Sequence, residues 1–364
     1  MPKSRPKFQK TDTVPFYSQL KKEVDETVLI HPIPYRKSFG KAYLLLAIYL
    51  ICYGLIYWIP VSMGFLLTLY MTMGISMMIV FINSFHDAAH GALFTHPKAN
   101  NRFLWVLELF GSNHWLWVKR HISLHHPLPN VPGWDIDIKQ SNLVRIFPNA
   151  PRFDYHRYQH IYMWLLYPFY TLFWLFVRDF KDFYGNKDNY VKQITTIPKR
   201  QHYLLWATKV FYVLYLIILP ALLTPFTFLE IGLGFLALHW TASLIGVVAL
   251  ISTHVDETAD FPTPNSDGNL PLAWAEHQLH VTKDFSPDSA LANFLYGGFT
   301  HHTAHHLFPG VSHLYYPQIT PLIKKHATEY NLTYTAYPFH EAVRSHFKLL
   351  KKRGITNPVF FGDL

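Results

Sequence analysis

Eight of the 23 histidines fall in three short clusters: His86 and His90; His121, His125 and His126; His302, His305 and His306. On a helix, residues four apart share a face. His86/His90, His121/His125 and His302/His306 therefore each present two imidazoles to one point, and His126 and His305 add neighbouring directions. Imidazoles clustered this densely suit Fe, Zn, Cu or Ni. With His254, which falls in the same layer of the chain, they exceed what one ion can hold and match two. The single cysteine, Cys52, lies in an apolar run, which excludes thiolate zinc sites, iron-sulfur clusters and intramolecular disulfides.

Two apolar zones position these clusters. Tyr43 to Asn83 carries no charge and is broken only at Pro60. Its halves, Tyr43 to Ile59 and Val61 to Ile82, are each close to the ~20 residues that a helix needs to cross a bilayer. They read as a transmembrane hairpin over residues 43–83, turning at Pro60. Tyr203 to Ile251, interrupted by Lys209, Pro220, Pro225 and Glu230, reads as a second hairpin over residues 203–251. Lys209 is near enough to a helix end to snorkel to the interface, and Glu230 falls in the turn.

The remaining segments are a cytoplasmic N-terminal stretch (1–42), a cap with the first two clusters (84–202) and a C-terminal region with the third (252–364). Two aromatic stretches, Phe103 to Val118 and Tyr158 to Val177, are interrupted by Glu108, His114, His160 and Pro168. They read as interfacial rather than spanning. The expected fold is thus an all-α integral membrane protein, with four transmembrane helices in two hairpins and a cytoplasmic helical cap carrying the metal site. Because two crossings return the chain to the same side, all three clusters meet there, with His254 three residues past the fourth helix.

The 32 lysines and arginines fix the orientation: nine precede the first helix, fourteen lie between Ser84 and His202, and eight follow Ile251. The two short turns carry none, so termini and clusters are expected on the cytoplasmic side. A bacterial inner membrane is favoured, with the endoplasmic reticulum as the alternative. A net charge of +9 gathered on that face favours anionic headgroups and an acidic protein partner; nothing points to nucleic acid. Met1 to Lys41 is polar, with five prolines, and does not read as a secretory signal.

In these motifs the chain resembles the membrane fatty acid desaturases, nearest to their acyl-CoA, or front-end (linoleoyl-CoA desaturase-like), branch. Their three boxes stand here as HDAAH at His86 to His90, HISLHH at His121 to His126 and HTAHH at His302 to His306. The likeness runs from about Phe85 to Pro317 and includes N-x-x-G-x-D-x-D at Asn130 to Asp137, THVDE around His254 and HQ-x-x-x-T-x-DF at His277 to Phe285. Where that branch has Gln, Asn and Thr, this chain has His302, Ile122, Pro127 and Pro129, and the fused cytochrome b5 motif HPGG does not occur.

The resemblance implies two non-haem irons held by His86, His90, His121, His125, His126, His254, His302, His305 and His306. It implies dioxygen as co-substrate and a long-chain acyl substrate whose methylene pair loses two hydrogens. Asp87, Asp135, Asp137, Asp256 and Glu257 are candidates to orient the imidazoles, and His277 and His301 are further candidates beside them. The acyl chain needs a dry tunnel, for which Trp105, Trp115, Trp117, Trp164 and Trp174 are wall candidates, and mid-helix His239 is expected to reach its distal end. Electrons must come from outside, from an acidic carrier of cytochrome b5 or ferredoxin type with its reductase.

Hydroxylation, ketolation and acetylene formation share the same first hydrogen abstraction and remain open. An intramembrane zinc protease is the remote alternative, since HDAAH differs from H-E-x-x-H by one methylene. A metal transporter would place its histidines within the spans.

Overall fold

The computed structural model describes residues 5–9, 15–34, 36–58, 62–138, 141–185 and 189–358. The described chain is mostly helical. Its only named strands are the two-residue parallel pair Asp284–Phe285 and Ala336–Tyr337. Five helices are long and apolar enough to cross a membrane: Arg36–Trp58, Met63–Ala89, Asp154–Tyr184, Lys199–Leu223 and Phe228–His254. Four of them correspond to the two hairpins; the turn expected at Pro60 lies outside the described residues.

The fifth, Asp154–Tyr184, is the aromatic stretch whose Pro168 had read as an interruption. A 3-10 turn at Tyr167–Phe169 absorbs the proline, and a π turn at Trp174–Arg178 carries the helix on. By contrast, the first aromatic stretch breaks into short pieces, because Gly111 takes a left-handed φ of 75° between Trp105–Phe110 and His114–Arg120.

Two helix ends fall later than the apolar zones suggested. The helix Met63–Ala89 runs on through a π turn at Phe81–Phe85 into the first box, so His86 belongs to the spanning helix and not to a separate cap element. His254 is likewise the last residue of Phe228–His254, not three residues beyond it. In both cases the short polar residues of the last turns are compatible with helix, and hydropathy alone ends the segment too soon.

The chain divides into two compact units. One comprises residues 35–120 and 164–247. Its apolar helices pack through small residues, as membrane helices do: a Cβ on Gly74 would stand 2.1 Å from the Leu238 carbonyl oxygen. Thr241 Oγ1 donates to the Met71 carbonyl at 3.1 Å, and Ser76 Oγ to that of Leu45 at 2.5 Å. Lys209 does not snorkel. Its ammonium is buried, 2.6 Å from Asp179 Oδ2 and 2.5 Å from the Gly111 carbonyl, and Arg120, also buried, stands 3.7 Å from Asp179 and 3.4 Å from Asp182. A buried ammonium requires such partners, and the partners come from segments that hydropathy counts as interfacial. Glu230 accepts from Thr227 N and Oγ1 at 2.8 Å and caps the start of its helix.

The other unit comprises residues 1–34, 121–163 and 248–364. Phe16, Leu20 and Val24 of the helix Pro15–Thr27 pack on Ala304 and Leu307 of the third box and on Ile319 and Ile323 of Tyr316–Glu329. The Tyr17 hydroxyl donates to the Leu307 carbonyl at 3.0 Å. Residues near the N-terminus thus back the short helix His302–Leu307.

Candidate metal centre

Within residues 121–163 and 248–364, four imidazoles converge: His125, His254, His302 and His306, all buried, with one nitrogen from each lying within 4.8 Å of the others. Nε2 of His302 is 2.7 Å from Nε2 of His254 and 3.1 Å from Nε2 of His306.

Their tautomers follow from the partners of the opposite nitrogen. His254 Nδ1 donates to the Val281 carbonyl at 3.3 Å, and a carbonyl can only accept. His306 Nδ1 donates at 2.8 Å to Gln278 Oε1, whose orientation is set because Gln278 Nε2 donates to the His126 carbonyl at 3.2 Å. His125 Nδ1 lies 3.1 Å from each oxygen of Asp135. Three of the four rings therefore turn Nε2 into the group, the nitrogen left to ligate a metal. Burial, and then the neighbouring imidazoles, hold His302 and His306 well below the ordinary histidine pKa, so both are neutral and ready to ligate. Burial pulls His125 down too, but the Asp135 carboxylate outweighs it and leaves that ring above its usual value.

A second group forms beside the first in the same unit. His126 Nε2 lies 3.0 Å from His121 Nε2 and 2.8 Å from His305 Nε2. Tyr316 orients His305: its hydroxyl donates to the Phe308 carbonyl and accepts from His305 Nδ1, both at 3.3 Å. His121 Nδ1 stands 3.5 Å from Asp137 Oδ2. Burial holds its pKa below the ordinary value despite that carboxylate.

The pairing differs from the simple helical expectation. His121 and His125 do not share a point, because His121–His125 is a π turn closed by the bond from His126 N to the His121 carbonyl at 3.0 Å. In a π turn, residues five apart align, so His121 meets His126 and His125 turns to the other group. His302 and His306, on an ordinary α-helix, do share a point. In the other unit, His86 and His90 stand with ring centroids 5.2 Å apart.

Local backbone geometry explains the carboxylates. Asn130 and Gly133 adopt left-handed φ values of 60° and 84°, folding the N-x-x-G-x-D-x-D segment so that Asp135 accepts from Asn130 N at 2.8 Å and Asp137 N at 3.0 Å. Asn130 Nδ2 also donates to the His254 carbonyl at 3.1 Å, tying this loop to another ligand. Asp256 is buried and pairs with Lys283 at 2.6 Å, while Glu257 is half exposed and pairs with Lys348 at 3.0 Å. Asp87 is buried in the turn that follows His86.

His277 Nε2 donates to the Pro129 carbonyl at 2.9 Å, and His301 Nδ1 meets Thr320 Oγ1 at 2.8 Å. Both rings lie outside the two imidazole groups, and burial lowers each pKa to about 4. Gln278, Tyr316 and Asn130 are the orienting residues that the sequence reading did not single out. Gln278 and Asn130 lie inside motifs quoted for the resemblance, whereas Tyr316 carries no local signal.

The unit of residues 35–120 and 164–247 contains an apolar pocket lined in part by Met77, Met78, Phe81, Phe110, Thr171 and Trp174. Phe81 precedes His86 by five residues on one helix, about 7.5 Å of axial rise, so the pocket wall leads to the first box. Of the wall candidates, only Trp174 lines it. His239 is buried behind it: its Nδ1 lies 2.8 Å from Thr171 Oγ1 and its Nε2 3.2 Å from the Tyr212 hydroxyl.

The fatty acid desaturase family model matches residues 60–338, a span that holds all three boxes. The chain belongs to the fatty acid desaturase family. Relatives within this family include the acyl-lipid (8-3)-desaturase of Physcomitrium patens, 34% identical over 279 residues, which are 74% of this chain and 57% of the relative. The sn-1 linoleoyl-lipid 6-desaturase of Arthrospira platensis is 31% identical over 304 residues, 79% of this chain and 77% of the relative. That of Synechocystis sp. is 29% identical over 286 residues, 78% of this chain and 79% of the relative. The chain thus spans little more than half the length of the first relative and over three quarters of the other two.

Proposed function

We propose that this chain is a membrane-bound fatty acyl desaturase that converts a methylene pair of a long acyl chain into a double bond. The balance is R–CH2–CH2–R′ + O2 + 2e− + 2H+ → R–CH=CH–R′ + 2H2O. The observation that carries the reading is the convergence of His125, His254, His302 and His306, three of which, His125, His254 and His306, have their Nδ1 atoms committed elsewhere. Family membership favours iron over the other metals that imidazole suits. His125, His254, His302 and His306 would hold one iron, and His121, His126 and His305 the other; the family resemblance implies His86 and His90 of the first box as metal ligands too. Bound there, the two irons supply dioxygen activation.

The protein's own part is orientation and dryness. Asp135, Gln278 and Val281 fix the Nδ1 protons, leaving each Nε2 free to ligate. The pocket walled by Met77, Phe81, Phe110 and Trp174 keeps water from the chain and holds it along the helix that carries His86. The names of the relatives favour an acyl lipid over a coenzyme A thioester as the carrier of the chain, and the reading as a desaturase over a hydroxylase, ketolase, acetylenase or zinc protease.

We read the topology as four crossings, with termini and histidines on the cytoplasmic side. Between His125 and His254 the chain passes through Asp154–Tyr184, Lys199–Leu223 and Phe228–His254. These two histidines meet in one group, which requires an even number of crossings. We read Asp154–Tyr184, with charged residues at both ends, as the helix that lies in the bilayer without crossing it.

The test is expression in a host of simple lipid composition and mass spectrometry of its fatty acids. A new unsaturated species that disappears in His125→Ala is the expected result; an unchanged lipid profile with well-folded, metal-loaded protein would overturn the reading.

A further inference from the structure

Desaturation as written consumes two electrons per turnover, and the described residues include no second redox group. We propose that the exposed basic face of the C-terminal helix Phe339–Ile355 is the docking surface for a small acidic one-electron carrier, and that buried His346 links this surface to the metal ligand His254. The proposal rests on the desaturase reading and names the partner of that site.

Arg344, Lys348, Lys351 and Lys352 are all exposed and recur at intervals that bring them to one side of a helix. Lys348 meets Glu257; Arg344, Lys351 and Lys352 have no carboxylate partner among the described residues. The opposite side carries Ala342, His346, Leu349 and Leu350, none with any exposed surface. The helix is thus a single layer between solvent and the interior.

His346 is the polar group on that inner side. Its Nδ1 donates to the Val255 carbonyl at 2.7 Å, and Val255 directly follows His254 in the chain. One hydrogen bond and a short stretch of covalent backbone therefore join the inner face of the helix to a residue of the metal group. The outer face stands about one helix diameter away, ~10–12 Å. A docked carrier gives up one electron per encounter, so two carriers are oxidised for each double bond formed.

Anionic lipid is the other source of negative charge that such a face could meet. An interfacial helix, however, inserts an apolar face alongside its lysines. Here that face is buried in protein, and the large apolar residues the helix exposes, Phe339 and Ile355, stand at its two ends, away from the central lysines. Opposite charge without apolar contact suits steered, salt-sensitive docking of a soluble partner.

The experiment uses the full-length, metal-free protein in detergent, with the soluble domain of cytochrome b5 and a [2Fe-2S] ferredoxin as probes. The Arg344→Glu, Lys351→Glu, Lys352→Glu variant should bind its preferred probe about tenfold or more weakly, and wild-type affinity should fall as salt rises. Equal affinity of variant and wild type for both probes overturns the docking surface. So does a variant that keeps probe affinity but no longer binds vesicles containing phosphatidylserine.

In metal-loaded protein, His346→Leu should slow reduction by the carrier while metal content and probe affinity stay unchanged, and His346→Asn, which keeps a donor for the Val255 carbonyl, should restore the rate. An unchanged rate in His346→Leu, or a loss of metal with the rate, overturns the link. Because docking is read without metal, its failure is distinct from failure of the desaturase reading, which the lipid profile tests.

Discussion

The Asp135 carboxylate embraces one nitrogen of His125, with Nδ1 3.1 Å from both oxygens, and so decides which nitrogen faces the metal. Asp135→Asn weakens that hold and allows the amide to present its donor to the ring. Metal affinity should fall by about 10- to 100-fold, measured by chelator competition, with thermal stability little changed. Unaltered affinity would mean that Asp135 does not orient the ligand.

Gln278 joins two boxes by donating to the His126 carbonyl and accepting from His306 Nδ1. Gln278→Leu leaves two buried polar groups without partners, at about 1–3 kcal/mol each. The variant should melt earlier and also lose metal; Gln278→Glu, which keeps the acceptor for His306, should retain more metal than the leucine variant. Equal loss in both would show that the contact with His306 is of no consequence.

The boxes themselves were plain in the sequence, since histidine is rarely clustered without cause. Their distribution between two groups was not, because it depends on a π turn that His121–Ile122–Ser123–Leu124–His125 does not announce; an α-helical period pairs the wrong rings. Lys209 was misjudged for a related reason. Its partner Asp179 lies 30 positions earlier, and hydropathy cannot foresee that a buried acid will receive it. Asp154–Tyr184 was read as a shorter interfacial stretch because Pro168 usually ends a helix, whereas here a 3-10 turn absorbs it.

The Lys209–Asp179 pair gives a stability prediction. Lys209→Met leaves buried Asp179 with Arg120 alone, 3.7 Å away, and should destabilise the protein by somewhat less than the ~3–5 kcal/mol of an uncompensated buried charge. The double variant Lys209→Met, Asp179→Asn should recover much of that loss in a thermal melt in detergent. A double variant as unstable as the single would contradict the account of the pair.

Acid should destabilise the protein through His277. Burial lowers its folded pKa to about 4, whereas the unfolded chain takes up a proton near pH ~6.5. Between these values the unfolded state binds more protons, so stability falls as pH drops through that window, by up to about 1.4 kcal/mol per pH unit for each such residue. His277→Gln, which can still donate to the Pro129 carbonyl, should show a shallower loss between pH 7 and pH 5. An identical slope would remove His277 as a cause.

The central claim is that the imidazoles hold a pair of irons, and metal analysis of protein purified without oxygen tests it most directly. The account predicts two irons per chain, with His302→Leu losing metal from the group it shares with His125, His254 and His306. A single zinc per chain without iron, or metal content indifferent to that substitution, would contradict it.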